Sequence, residues 1–484
     1  MTEDDWDGPR EGGALELYGP QTEQQDDDST SPIPVARAWP VFNSMAFFEV
    51  LPGRSFHAVQ EVTGDRPRLS LQGWYHAKDP PPQDELEKAT LQQLKAMSSP
   101  SETGAEAATE NETEARPCAD ETKDEDAFTE GDRTYLKEYI QSEYLTEESM
   151  NEIRTKFENN STIQFRNFLL QKYVPVIDPN CETTATAATT TTTTTVNDNG
   201  KKPAAATSFV TDNTTTTGGS NNEIDAHYKK GVTPEWKVRG PAHKQRYLSY
   251  DPPDREEKEE GGEDDANATA TGKLLQTIRE TVFRSEPFFR YLKRVTSLDK
   301  PTGILGVQGQ HQQQQQHRSN DTIRRFRPGL DYTVAHHGLL LQQSILDATM
   351  CFVRDVTEED RAMWESGDIG GFECYIEADI DDDDDDDDGG NDGGTNADPK
   401  PPPGSSGPAD EYNEEDDTEL LSVSASNNTL SLVYRDPGTM RFVKYVSSSA
   451  PSSRYDICME YELPPDDDDE NENDNGNALT SVEE

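Results

Sequence analysis

The sequence predicts a mainly β protein with packing helices, an α+β chain broken by long acidic and Thr-rich segments that cannot fold alone. Three observations lead there. Short runs with strand character, such as 55–62 and 430–434, are bounded by Pro, Gly and Asp turns. A single long stretch, 274–298, repeats apolar residues at three and four. Apolar residues make up only 31% of the 484, mean hydropathy is −0.94, and the formal charge is −52. Ordinary domains are roughly 45–50% apolar, so about half of this chain is expected to pack and the rest to stay disordered.

Residues 1–78 read as strands: one at Gly12-Gly13 and beyond, then 33–41, 45–51 and the runs around His57 and Arg68. Leu69 and Leu71 fall on one side of a strand, and Arg68, Ser70 and Gln72 on the other. If that polar side looks into a barrel, it offers a cation and a hydroxyl to a bound anion, with a histidine nearby. Spacing alone makes this a weak signal, since a His and an Arg eleven positions apart are ordinarily surface residues. The pair Phe47-Phe48 is expected in the core.

Residues 79–132 follow as a disordered linker opened by Pro80-Pro81-Pro82. From 133 to 463 a second ordered unit is expected, with disordered insertions near 181–222, 252–270, 300–320 and 379–416, and an acidic tail at 464–484. Leu136, Tyr139, Ile140 and Tyr144 form a helical stripe, and Thr146-Glu147-Glu148 starts a helix. Pro287 should kink or split the helix over 274–298. Runs at 430–434 and 440–446 alternate on either side of Asp436-Pro437-Gly438 and predict a hairpin, with a last strand at 457–463.

The acidic balance argues against direct nucleic-acid binding, which needs a basic footprint. A local basic patch, Lys237-Val238-Arg239 with His243-Lys244-Gln245-Arg246, reads equally as a solvated loop or as a contact with a ribosomal or RNA partner. The five cysteines are scattered and lack any Cys-x-x-Cys pair, which fits reduced thiols in the cytoplasm or nucleus rather than a zinc site. No apolar run reaches the length of a membrane span, so no membrane association is expected. The poly-Asp runs 381–388 and 466–469 have no calcium-loop register. An acidic chaperone for basic proteins would rest on them alone. Adjacent His336 and His337 have no carboxylate at ligand spacing and no later histidine, so they read as structural or solvent-facing.

The segments 46–57 (Ala-Phe-Phe-Glu-Val through Pro52-Gly53-Arg54-Ser55-Phe56-His57), Arg68-Leu69-Ser70 and Gly73-Trp74-Tyr75-His76 resemble the last strands of a known catalytic domain. It is that of the 2-oxoglutarate- and iron-dependent prolyl hydroxylases of a small-subunit ribosomal protein. Glu235-Trp236-Lys237-Val238-Arg239-Gly240-Pro241, Phe283-Arg284-Ser285-Glu286, Gly370-Gly371-Phe372 and Leu432-Val433-Tyr434-Arg435-Asp436 resemble the family's C-terminal degradation domain. The resemblance implies a partial double-stranded β-helix (jelly roll) followed by a second, non-catalytic jelly roll. It implies Fe(II), 2-oxoglutarate and ascorbate, and a ribosomal protein substrate. It makes His57 the distal iron ligand and Arg68 the 2-oxoglutarate anchor.

The family's proximal ligands form a His-x-Asp pair upstream of the distal histidine. Here no histidine precedes His57, and none of the eight histidines is followed two positions on by Asp or Glu. The chain thus resembles the C-terminal part of the enzyme, with most of its first domain absent. Catalytic residues beyond the two binding groups are not assigned. The rival expectation is a non-enzymatic module, its second jelly roll binding a partner or regulating degradation. Oligomeric state is not legible.

Overall fold

The structure is a computed structural model that describes residues 5–19, 31–50, 55–75, 126–177, 226–252, 263–304, 321–336, 341, 343–378 and 419–464. The Thr-rich tract, the Gln run, both poly-Asp runs and His337 lie outside these described residues.

Three antiparallel sheets build the described part. The first joins β1 (Leu15–Leu17), β2 (Ala36–Ala38) and β3 (His57–Val59) in the order β2-β1-β3. The largest runs from β4 (Thr162–Phe165) through β13 (Thr429–Arg435), β10 (Ile345–Phe352), β15 (Arg454–Glu462), β8 (Thr322–Phe326) and β6 (Gln245–Tyr250) to β5 (Trp236–Arg239). Short strands β7 (Gly303–Ile304) and β9 (Tyr332–Thr333) add to β15 and β6. The third sheet is β12 (Glu419–Val423), β11 (Glu373–Glu377) and β14 (Thr439–Val443), in the order β12-β11-β14. This sheet-rich, antiparallel arrangement is consistent with a jelly roll.

The large sheet is covered on both faces, and its sequence shows how. Every residue of β10 is buried. Leu346, Ala348, Met350 and Phe352 share one apolar core with Leu430, Leu432, Ile457, Met459 and Tyr461. The helices of that core include α1 (Glu147–Asn160), α2 (Glu263–Ile278) and α3 (Glu286–Thr296). The alternate residues, Asp347 and Thr349 on β10 and Arg454 and Asp456 on β15, face the three-stranded sheet instead. There they meet Glu373 of β11 and Arg441 of β14. Burying charge is tolerated only when each charge is paired. Arg324 grips Asp456 at 2.7 and 3.0 Å, Arg435 lies 2.9 Å from Asp347, and Glu373 accepts from Arg441 and Arg454 at 3.0 and 2.9 Å.

Helix boundaries follow local chemistry. Thr146 caps α1 by accepting from Ser149 N. The stretch over 274–298 is split, as Pro287 suggests. It leaves α2 through a π turn (Arg279–Phe283) and restarts with Ser285 capping α3 and Pro287 in its first turn. There Pro has no hydrogen bond to lose.

Several expectations are corrected. The insertions near 252–270 and 300–320 are narrower than expected, since 263–270 are helical and Gly303–Ile304 pairs with β15. Likewise the linker ends before Thr129, which caps a helix at Glu130–Leu136. Strands 430–434 and 440–446 do not form a hairpin. The turn at Asp436 carries the chain from the large sheet into the small one, because β13 pairs with β10 and β4 while β14 pairs with β11. In the first sheet, 45–50 and 68–72 have no strand structure, and Phe47 is 61% exposed. Leu69 and Leu71 are 56% and 94% exposed. An alternating run becomes a strand only where a neighbour takes its backbone bonds, and among the described residues none does so here.

Candidate active-site strands and the crevice behind them

Strand β1 sits between β2 and β3 in one register, with Leu17 opposite His57, Glu16 opposite Ala58 and Leu15 opposite Val59. Side chains alternate across such a pair. His57 and Val59 therefore share a face with Leu15 and Leu17, while Glu16 and Ala58 point to the other face. His57 is exposed, its Nδ1 lies 2.9 Å from Ser55 O, and its ring meets the edge of Phe48 at 5.1 Å.

Arg68 reaches the opposite end of β1. Its Nε donates to Gly13 O at 2.8 Å, and its Nη1 donates to Ser70 Oγ at 3.2 Å. Gly13 adopts φ +74°, and a Cβ there would lie 2.8 Å from Arg68 Cδ, so the guanidinium stem fills the space a side chain would need. Gly13 and Leu17 are four residues apart, placing the Arg68 contact and the His57 contact about 13 Å apart along the strand.

The cation and hydroxyl of Arg68 and Ser70 do come together, and they suit a carboxylate: the guanidinium presents a planar fork of donors. The iron fits less well. A facial iron site takes two imidazoles and a carboxylate. Among the described residues, no group of three or more His, Cys, Asp or Glu side chains is arranged to hold a metal ion. His336, half-buried after β9, belongs to no such group either. The residues present therefore do not fit iron.

The inner face of β1 and β3 was not foreseen from sequence. Glu16, 2% exposed, accepts from Tyr18 OH at 2.8 Å and from Tyr228 OH. Burial, the largest effect, raises the Tyr18 and Tyr228 phenols, with the Glu16 charge adding to it, so both stay protonated donors. Tyr18 OH also accepts from Arg246 Nη1 at 3.0 Å, and the Arg246 guanidinium lies over the rings of Tyr228 and Tyr332 at 4.8 and 5.2 Å. Most of the basic patch is thus built into strands β5 and β6 rather than a solvated loop. Lys244 and Arg246 are buried, Lys237 pairs with Asp251 at 3.0 Å, and the His243 ring stacks on Phe56 at 4.2 Å. Between the first sheet and these residues lies a crevice of about 560 Å³, lined in part by Glu16, Glu61, Tyr332, Lys444 and Tyr445.

Residues 131–470 match the family described as the oxoglutarate and iron-dependent oxygenase degradation C-terminal domain, and residues 1–76 match the 2-oxoglutarate–Fe(II) oxygenase superfamily. The chain belongs to this oxygenase family. Its enzymes are 2-oxoglutarate-dependent dioxygenases, with Fe(II) as cofactor and 2-oxoglutarate as co-substrate. Prolyl 3,4-dihydroxylase OGFOD1 of Ostreococcus tauri is 30% identical over 93% of this chain and 69% of that protein. Prolyl 3-hydroxylase sudestada1 of Drosophila melanogaster is 23% identical over 92% of this chain and 60% of its own length. Prolyl 3-hydroxylase OGFOD1 of Xenopus laevis is 46% identical over 68 residues, 14% of this chain and 12% of that protein. Among the described residues, no helix is long and apolar enough to cross a membrane.

Proposed function

We propose that these 484 residues are part of a 2-oxoglutarate- and Fe(II)-dependent prolyl hydroxylase acting on a small-subunit ribosomal protein in the cytoplasm or nucleus. His57 is the distal metal ligand and Arg68 the 2-oxoglutarate anchor. The observation that carries this reading is the Arg68 guanidinium, paired with the Ser70 hydroxyl and with Gly13 O beside the sheet that bears His57. Held in this way, Arg68 can take the far carboxylate of the keto acid in fork geometry, with Ser70 as a second donor. Bound iron, when a full ligand set is present, supplies the oxidising chemistry. The 484 residues alone lack the His-x-Asp pair and do not turn over.

A non-enzymatic, partner-binding or degradation-regulating module is the second reading. It is favoured by the absence, among the described residues, of a side-chain group able to hold a metal.

The test is a chain extended upstream through a His-x-Asp pair, supplied with iron, ascorbate, 2-oxoglutarate and a proline peptide from a small-subunit ribosomal protein. Peptide-dependent succinate release is expected. Arg68→Ala is expected to raise KM for 2-oxoglutarate by about 30-fold or more, because losing one partner of a hydrogen-bonded charge pair costs roughly 2–5 kcal/mol. No turnover at all would favour the module, and turnover that ignores both Arg68→Ala and His57→Ala would overturn the roles given to these two residues.

A further inference from the structure

We infer that Glu61 is a positioning residue: its carboxylate clamps the strand that carries His57 onto the large-sheet assembly, making that assembly the back wall of the proposed site. The catalytic consequence rests on the proposed function, whereas the clamp itself does not.

Glu61 stands four residues beyond His57. Its Oε1 accepts from Ser447 Oγ at 2.5 Å, and its Oε2 accepts from Ser448 N at 2.8 Å and Tyr445 OH at 3.2 Å. All three donors belong to one short loop after β14. That loop is itself fixed: Ser447 N donates to Ile369 O at 2.9 Å, Val446 N to Asp331 O at 3.1 Å, and Gly329 N to Val446 O at 2.9 Å. Three bonds on one carboxylate from one anchored loop make a directional clamp, and bonds to a charged group are among the stronger ones.

The backbone on the other side of Glu61 is equally specified. Glu61 O accepts from Gly13 N at 2.9 Å, and a Cβ on Gly12 would lie 2.1 Å from that same oxygen, so only glycine fits there. At the far end of β3, Phe56 stacks on His243 with a ring separation of 4.2 Å and an angle of 12°. In the middle, Glu16 opposite Ala58 is held by Tyr18 and Tyr228. Every one of these restraints acts around β3 without touching His57, whose side chain points to the opposite face. Fixing the strand therefore aims the imidazole, whose own contacts are with Ser55 O and Phe48.

The experiment uses the 484-residue chain without iron or 2-oxoglutarate, so its outcome is independent of whether the dioxygenase reading survives. Amide exchange is followed at Gln60, whose N–H donates to Ala14 O at 2.8 Å, and along β10 and β15 as reference. The Hε1 resonance of His57 reports its packing against Phe48. Glu61→Ala and, from the other side of the clamp, Ser447→Ala are compared with Glu61→Gln, which keeps an acceptor oxygen.

Glu61→Ala is expected to speed Gln60 exchange by about tenfold or more. It should also move the His57 resonance toward its unstructured position, with β10 and β15 unaffected. Ser447→Ala should act in the same direction and more weakly, and Glu61→Gln should recover most of the protection. Unchanged Gln60 exchange and an unmoved His57 signal in both alanine variants would overturn the assignment. So would a loss of protection spread equally over β10 and β15, or a Glu61→Gln variant no better than alanine.

Discussion

Glu373→Gln is expected to destabilise the large-sheet assembly by about 3–5 kcal/mol, the usual cost of removing one partner from a buried ion pair. For a unit of this size that corresponds to a fall in Tm of roughly 10 °C. Glu373 is 1% exposed and accepts from Arg441, Arg454 and Arg324 at 3.0, 2.9 and 3.4 Å, and from Thr349 Oγ1 at 3.0 Å. Burial alone pushes its carboxyl up. The three guanidiniums, Arg441 foremost, outweigh that and hold it at about 2, against an ordinary value of 4.5.

A folded-state value below the unfolded one means the stabilisation is present above pH 4.5 and is lost as pH falls toward 2. The wild type should thus lose stability over that window, and the Gln variant should show a shallower acid limb because it has no proton to take up there. Urea unfolding at pH 7 and along this window measures both effects. A variant within 1 kcal/mol of wild type at neutral pH, with an unchanged acid limb, would show that the three arginines do not depend on this carboxylate.

Phe288→Ala acts by a different route, through cavity formation, and is expected to cost about 3–5 kcal/mol. The ring is fully buried at the start of α3. Its neighbours are Phe283 at 5.1 Å, Tyr291 at 5.9 Å, Tyr461 at 6.3 Å and Phe168 at 6.5 Å, which tie helix and large sheet together. Phe288→Leu should cost clearly less, since most of the volume and all of the apolar character remain. Equal losses for the two variants in urea titrations would argue against a cavity mechanism.

These two positions also show what could be read from the sequence and what could not. The helices were legible because their apolar stripe, caps and Pro287 are local signals, and the structure breaks the 274–298 stretch where that proline stands. Strand β15 was legible as a strand at 457–463, but the role of its charged residues and of those on β10 was not. Period-two reasoning assigns alternating polar residues to water, whereas Asp347, Asp456 and Arg454 lie against a second sheet contributed by residues far off in the chain. The turn at Asp436-Pro437-Gly438 has hairpin chemistry, yet pairing is decided by β10 and β11, which no local pattern reveals.

In the first sheet, residues 68–72 have the alternation of a strand without a described partner. At the candidate site, His57 and Arg68 are singled out only through family resemblance. The groups behind them, Glu16 with Tyr228 and Glu61 with Ser447, were not, because a contact between residues more than two hundred apart leaves no periodic trace.

The most direct test of the site as described is an Fe(II) titration of the 484-residue chain, under anaerobic conditions with 2-oxoglutarate present, alongside His57→Ala. With one imidazole and, among the described residues, no partnering carboxylate, binding should be weak, substoichiometric and the same in the variant. One equivalent of iron held at micromolar affinity by the wild type and lost in His57→Ala would contradict the account, because it would mean these residues complete a metal site.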